Sequence, residues 1–233
     1  MRILKSTQFF SDTLSGNDVF ILAGPSGVGK TEITLNLAAF LSNSTVVDLD
    51  FCKSDFTLRS DRFCAPVPVP QRNNPFRYAD VPTIDQKLLS LVGRAAIHGQ
   101  VVIDLGGDRQ GMKIFQVIKP ILLKKRWHLS LVVNFSRPFF EEERDYCAFV
   151  AKIEEMFDLR FHSIIANTHL MELTDWAMLW KSWQKTKELS HMISLPLLLA
   201  TVWEGMVSAD HRWERFEGAV AAIRRFLRLP WEE

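Results

Sequence analysis

The chain has 233 residues, 47% hydrophobic and 24% charged, with 11 Gly and 10 Pro, a composition that fits one globular α/β domain and excludes a disordered or fibrous chain. With 28 Lys and Arg against 27 Asp and Glu the formal charge is +1, so any attraction to nucleic acid or anionic lipid must be local. The cysteines, Cys52, Cys64 and Cys147, show no CxxC spacing, and the chain has neither a signal-like N-terminus nor an apolar run of ~18 residues, so a reduced, cytoplasmic protein is expected.

Short apolar runs alternate with helical patterns along the chain. Strands are expected at 19–24 (VFILAG), 44–50 (STVVDLD), 100–107 (QVVIDLGG), 128–135 (HLSLVVNF), 161–167 (FHSIIAN) and 191–198 (HMISLPLL). Helices are expected at 31–41, 83–98, 113–124, 139–156, 174–189 and 209–227. Most of these strands are apolar throughout, as parallel strands covered on both faces are. The expected architecture is therefore α/β: a doubly wound, mostly parallel sheet with helices on both faces, in a single domain over 1–233. The proline-rich stretch at 64–82 (CAPVPVPQRNNPFRYADVP) suits neither a helix nor a central strand. It is expected to be a long loop, either a lid or binding segment or a surface insertion with no direct role.

The first motif is Gly24-Pro25-Ser26-Gly27-Val28-Gly29-Lys30-Thr31, which follows a predicted strand and opens a helix, the context that gives GxxxxGK[ST] its mechanism. The glycines permit a tight turn whose N–H groups, with the helix N-terminus, cradle a phosphate. Lys30 is expected to bridge the β- and γ-phosphates while contributing little to the core, and Thr31 to place its hydroxyl on Mg²⁺. Asp104, near the end of the 100–107 strand, is placed to meet Mg²⁺ through water. Leu105 stands where an AAA+ or helicase-type ATPase carries its Glu base; Asp104 to Gly107 reads DxxG instead, a pattern that resembles the GTPase-like and ParA/MinD-like branches and so implies that the Gly107 amide can follow the γ-phosphate. Asp48 and Asp50 share a face at the end of the second strand, where they can order a water or Mg²⁺ beside the γ-phosphate or simply cap the strand; Asp55 is a secondary candidate.

A strand, the GPSGVGKT loop, a helix, a strand ending DLD, a long segment and a strand ending DLGGD follow one another over about 18–199, and this succession resembles the ParA/MinD family of SIMIBI-class P-loop ATPases. The resemblance implies an ATP-dependent, Mg²⁺-requiring switch in plasmid partition or intracellular positioning, an ATP-dependent homodimer, a protein partner, and a location in the cytoplasm or peripheral to membrane or nucleoid. For Asp50 it implies positioning of the attacking water. The family carries a lysine in the loop that reaches across the dimer, and here that position is Pro25. Slow hydrolysis without a partner is therefore expected, with Arg109, Lys113 or Arg137 as candidates for the missing charge.

Asn167-Thr168-His169-Leu170 keeps the Asn of the guanine-reading NKxD pattern but lacks its Lys and Asp, so ATP is expected over GTP. For Asn167 the resemblance implies a place on the adenine edge, with a satisfied turn at the strand end as the alternative, and Leu195-Pro196 is expected as the other wall. Two further functions stay open. One is a small-molecule kinase whose acceptor lies under the 64–82 loop, with Asp50 as base and Arg59, Arg62, Arg72 and Arg77 as lid residues; the other is a nucleotide-binding accessory protein without turnover.

Trp176, Trp180 and Trp183 form a helical stripe, read as core or as an interface anchor. At 209–228, Trp213, Phe216, Val220, Ile223 and Leu227 line one face and Arg212, Arg215, Arg224, Arg225 and Arg228 lie largely elsewhere. This predicts a basic amphipathic helix that packs on the sheet or binds DNA or a membrane surface.

Overall fold

The computed structural model describes residues 1–41, 43–50, 99–107, 109–122, 124–168, 170–207 and 211–226. The expected loop at 64–82, the expected helix at 83–98, and Asp55, Arg59, Arg62, Arg72 and Arg77 lie outside the described residues. In chain order the elements are β1 (Arg2–Lys5), α1 (Gln8–Gly16), β2 (Val19–Ala23), α2 (Lys30–Phe40), β3 (Ser44–Leu49), β4 (Gln100–Leu105), α3 (Arg109–Leu122), β5 (Trp127–Val133), α4 (Glu143–Phe157), β6 (Ser163–Ala166), α5 (Trp176–Ile193), β7 (Leu197–Trp203) and β8 (Val220–Ile223).

The described strands form one sheet in the order β1-β8-β7-β6-β5-β2-β4-β3. Every neighbouring pair is parallel except β1 with β8. From β2 the chain moves outward to β3, returns through β4, and then crosses to β5 on the other flank of β2. Strand addition thus reverses direction around β2, the kind of place where α/β sheets bind ligands beyond their C-terminal ends.

The uniform apolarity of the strands has a direct cause in the layering. Val19, Ile21 and Ala23 of β2 join a core with Phe115 of α3, Tyr146 and Val150 of α4 and Leu189 of α5. The intervening Phe20 and Leu22 face the opposite layer, where Phe10 of α1 and Ile33 and Leu35 of α2 lie. Helices therefore cover both faces, and β2, whose five residues are all buried, has no side on which a polar residue would meet water. Each such Val, Ile or Leu contributes ~1.5–3 kcal/mol through burial.

Three expectations are corrected. The basic helix expected at 209–228 is absent from the described residues 211–226: Arg212–Arg215 is a single 3-10 turn, Gly218 sits at φ 122, and Val220–Ile223 is the fully buried strand β8. Val220, Ala221, Ala222 and Ile223 form a continuous apolar run that fills a slot between β1 and β7, and Gly218 interrupts the helical spacing before it. The helix that would have met DNA or a membrane does not form. The strand expected at 191–198 is displaced, because α5 continues to Ile193 and stops at a left-handed Ser194 (φ 54) before β7 runs from Leu197 to Trp203. The third correction is at 2–16, where β1 and α1 stand unanticipated, although Thr7 gives a helix-start signal: its hydroxyl accepts from the Phe10 amide at 3.1 Å.

The tryptophan stripe divides. Trp183 is buried edge-on against Phe216 at 5.3 Å between ring centroids, whereas Trp180 touches the same ring at 5.9 Å and remains 41% exposed.

Candidate functional site

The GPSGVGKT loop joins β2 to α2. Gly27 and Gly29 take left-handed φ values of 80° and 89°, which side-chain-bearing residues adopt at a cost, and the second of them caps the helix. At the loop's start the backbone is crowded from two strands: a Cβ on Gly24 would lie 2.5 Å from the Val132 carbonyl oxygen, and one on Gly107 would overlap the Gly24 carbonyl. The DxxG segment after β4 therefore rests directly on the loop, with Gly107 the residue that makes the close approach.

Lys30 is the first residue of α2 and is only 2% exposed. Its Nζ donates to the Pro25 carbonyl at 3.0 Å and lies 3.6 Å from Asp50 Oδ2. This corrects the expectation that Lys30 matters little to the fold, since its loss would leave buried Asp50 without its cation.

Thr31 Oγ1 donates to Asp104 Oδ2 at 2.5 Å, joining loop to β4. Asp48 stands opposite Asp104 in the β3–β4 ladder, and its Oδ1 accepts from the Asp50 amide at 2.9 Å, so Asp48 does cap the strand end, which stops at Leu49. Burial first, and then the charges of Asp48 and Asp50, push the Asp104 carboxyl up to about 7 against the opposing influence of Lys30 and the Thr31 hydroxyl. Its Oδ1 is buried with no hydrogen-bond partner among the described residues.

These observations fit a hydrated divalent cation. A buried carboxylate with one idle oxygen, beside a hydroxyl and a second carboxylate, carries negative charge that a hard cation would balance. Among the described residues no group of three or more His, Cys, Asp or Glu could hold a metal ion by itself.

Asn167, at the end of β6, is almost wholly buried and spans the site from the other side. Its Nδ2 donates to the Val28 carbonyl at 2.7 Å and its Oδ1 accepts from Thr201 Oγ1 at 2.5 Å. A Cβ on Gly29 would overlap that amide nitrogen. Much of the hydrogen-bonding capacity expected to read a base is thus spent holding the loop. Leu195 and Pro196 precede β7, at the end of the sheet opposite the loop, which removes them as a wall for the base. The C-terminal end of β7, with Trp203 and Gly205, occupies the correct edge instead.

Of the candidate cations, Arg109 opens α3, Lys113 is exposed on that helix, and the Arg137 guanidinium lies against Gly27. Sequence reasoning missed Thr201 and Thr168, whose hydroxyl accepts from the Phe135 amide at 2.9 Å, and Tyr146, whose hydroxyl accepts from the Asn134 amide at 2.7 Å and donates to the Asn134 carbonyl at 3.1 Å. For Thr168 the only signal was its place after a strand; Tyr146 is distant in sequence from the loop it holds.

No protein-family model matches the chain, and no curated protein matches it. Among solved structures it is similar to FtsY from Mycoplasma mycoides (12% identity over 81% of this chain and 64% of that one, TM-score 0.46). Others are the cell division protein FtsY from Thermotoga maritima (14%, 81% and 62%, TM-score 0.49) and the signal recognition particle receptor FtsY from Elizabethkingia anophelis in complex with GDP (16%, 78% and 56%, TM-score 0.46). The chain thus spans about 64% of the length of the first of these. The fold assignment rests on the strand order and layering above.

Proposed function

We propose that this chain binds a nucleoside triphosphate with Mg²⁺ at GPSGVGKT and hydrolyses it slowly, as a switch that changes association with a partner protein or a second copy of itself. The observation that carries the reading is the Thr31–Asp104 hydrogen bond beside a loop built from left-handed glycines, with the idle Asp104 oxygen next to it. ATP is the favoured nucleotide because Leu170 stands where a guanine-reading acid would be. The ParA/MinD-type role is supported by the DLD and DLGGD strand ends and opposed by Pro25.

Bound Mg²⁺ would neutralise phosphate charge, held by Thr31 and, through water, by Asp104. Lys30 would exchange the Pro25 carbonyl and Asp50 for phosphate oxygens. That exchange frees the Asp50 carboxylate to orient an attacking water, and the backbone of Gly107, already against Gly24, registers the terminal phosphate.

Calorimetry with Mg-ATP and Mg-GTP tests the proposal. The wild-type chain is expected to bind Mg-ATP more tightly than Mg-GTP, and Lys30→Ala to abolish tight binding of both. Because that variant strands Asp50, the double variant Lys30→Met, Asp50→Asn provides a folded control with the same expected loss. A wild-type chain without affinity for either nucleotide, or a folded Lys30 variant with undiminished affinity, would sink the reading.

A further inference from the structure

We infer that Arg137 is a phosphate-contacting residue of this site, supplied by the chain itself from the loop between β5 and α4, and that it provides on one side of the cradle the positive charge that Pro25 does not. The inference rests on the nucleotide-binding reading above.

The Arg137 side chain lies across Gly27, so close that a Cβ there would overlap the guanidinium and fall 2.6 Å from Nε. Gly27 therefore leaves room for the arginine as well as allowing the turn. Arg137 Nε is buried and has no hydrogen-bond partner among the described residues. A buried guanidinium N–H without an acceptor is costly, and the neighbouring loop is shaped to hold an anion. Phosphate oxygens are acceptors that match the planar fork of a guanidinium, which binds them more specifically than a lysine would.

The loop that carries Arg137 is fixed in place, as a preorganised contact requires. The Arg137 amide donates to the Asn134 carbonyl at 3.2 Å and its own carbonyl accepts from the Phe140 amide at 3.1 Å. The Ser136 amide donates to Asn134 Oδ1 at 3.0 Å, while Tyr146 and Thr168 hold Asn134 and Phe135. Two residues on, Phe139 is held at φ 68 with its ring 87% exposed. A left-handed non-glycine residue costs roughly 1–3 kcal/mol and persists where the surrounding structure dictates the turn.

The test compares wild type, Arg137→Ala and Arg137→Lys for binding of Mg-ATP, Mg-GTP, and AMP or GMP, alongside thermal melting. Arg137→Ala is expected to weaken binding of the favoured triphosphate about tenfold or more, the loss typical of a hydrogen bond to a charged group, with little change for the monophosphate. Arg137→Lys is expected to recover part of the loss, since the charge returns without the fork. Equal weakening for monophosphate and triphosphate would overturn the assignment and leave Arg137 a structural residue. So would unchanged triphosphate affinity in Arg137→Ala. If wild type binds no nucleotide at all, the nucleotide-binding reading itself fails, an outcome distinct from either of these.

Discussion

Asp104 has one carboxylate oxygen bonded to Thr31 and the other idle, and its carboxyl titrates near 7 because it is buried beside Asp48. In cation-free protein the folded chain keeps a proton that the unfolded chain releases near pH 4, so stability should fall as pH rises from about 4 to 7, by at most ~1.4 kcal/mol per unit. Asp104→Asn removes this dependence. Its melting temperature is expected to match wild type near pH 4 and to exceed it at pH 7–8 by up to roughly 8–16 °C, because about 4 kcal/mol accumulates over that pH range and each kcal/mol is worth roughly 2–4 °C in a chain of this size. Added Mg²⁺ should raise the wild-type value at pH 7–8 and leave the variant nearly unmoved. A pH-independent difference between the two proteins would show that Asp104 is not the group responsible.

At the level of elements, the site is a set of strand ends brought to one edge, and most of that was legible. GPSGVGKT, Asp104 and Gly107 announce themselves because tight phosphate turns need glycines at fixed spacing, and the apolar runs announce buried parallel strands. Asp50 as counter-ion to Lys30, and Asn167 as a tie to Val28, were not legible in those roles, because both depend on which strand ends become neighbours. The last strand is not legible for a different reason: four buried apolar residues carry no periodicity that separates strand from helix, and Gly218 is the break before them. The β5–α4 loop gives this scale its prediction. Tyr146→Phe would leave the buried Asn134 amide without its partner and the Asn134 carbonyl with the Arg137 amide alone, at a cost of about 1–3 kcal/mol. Denaturant melts should show that loss together with weaker triphosphate binding, since the same loop carries Arg137. Lost stability with unaltered affinity would mean that the arginine does not depend on the loop's anchor.

Across the whole molecule, the helix that follows the phosphate loop is tied to a distant part of the chain. The Asn36 side chain donates to the Arg224 carbonyl at 2.8 Å and accepts from the Arg224 amide at 3.1 Å, and the Phe226 amide donates to Glu32 Oε1. Asn36 is fully buried, so Asn36→Ala is expected to cost about 1–3 kcal/mol in urea unfolding and to lower nucleotide affinity, although the residue lies a full turn beyond Lys30 and Thr31. An equally stable variant would show that the tie is dispensable. No helix among the described residues is long and apolar enough to cross a membrane. The same tie orders events during synthesis. Residues 24–31 leave the ribosome early, yet Asn36 has no Arg224 backbone to clasp, and β1 no β8 to pair with, until residues 220–226 emerge. A nascent chain halted before β8 should therefore carry the whole GPSGVGKT motif and still hold it loosely, so that, on the proposed function, the ability to retain nucleotide would mark the moment the polypeptide is finished through β8.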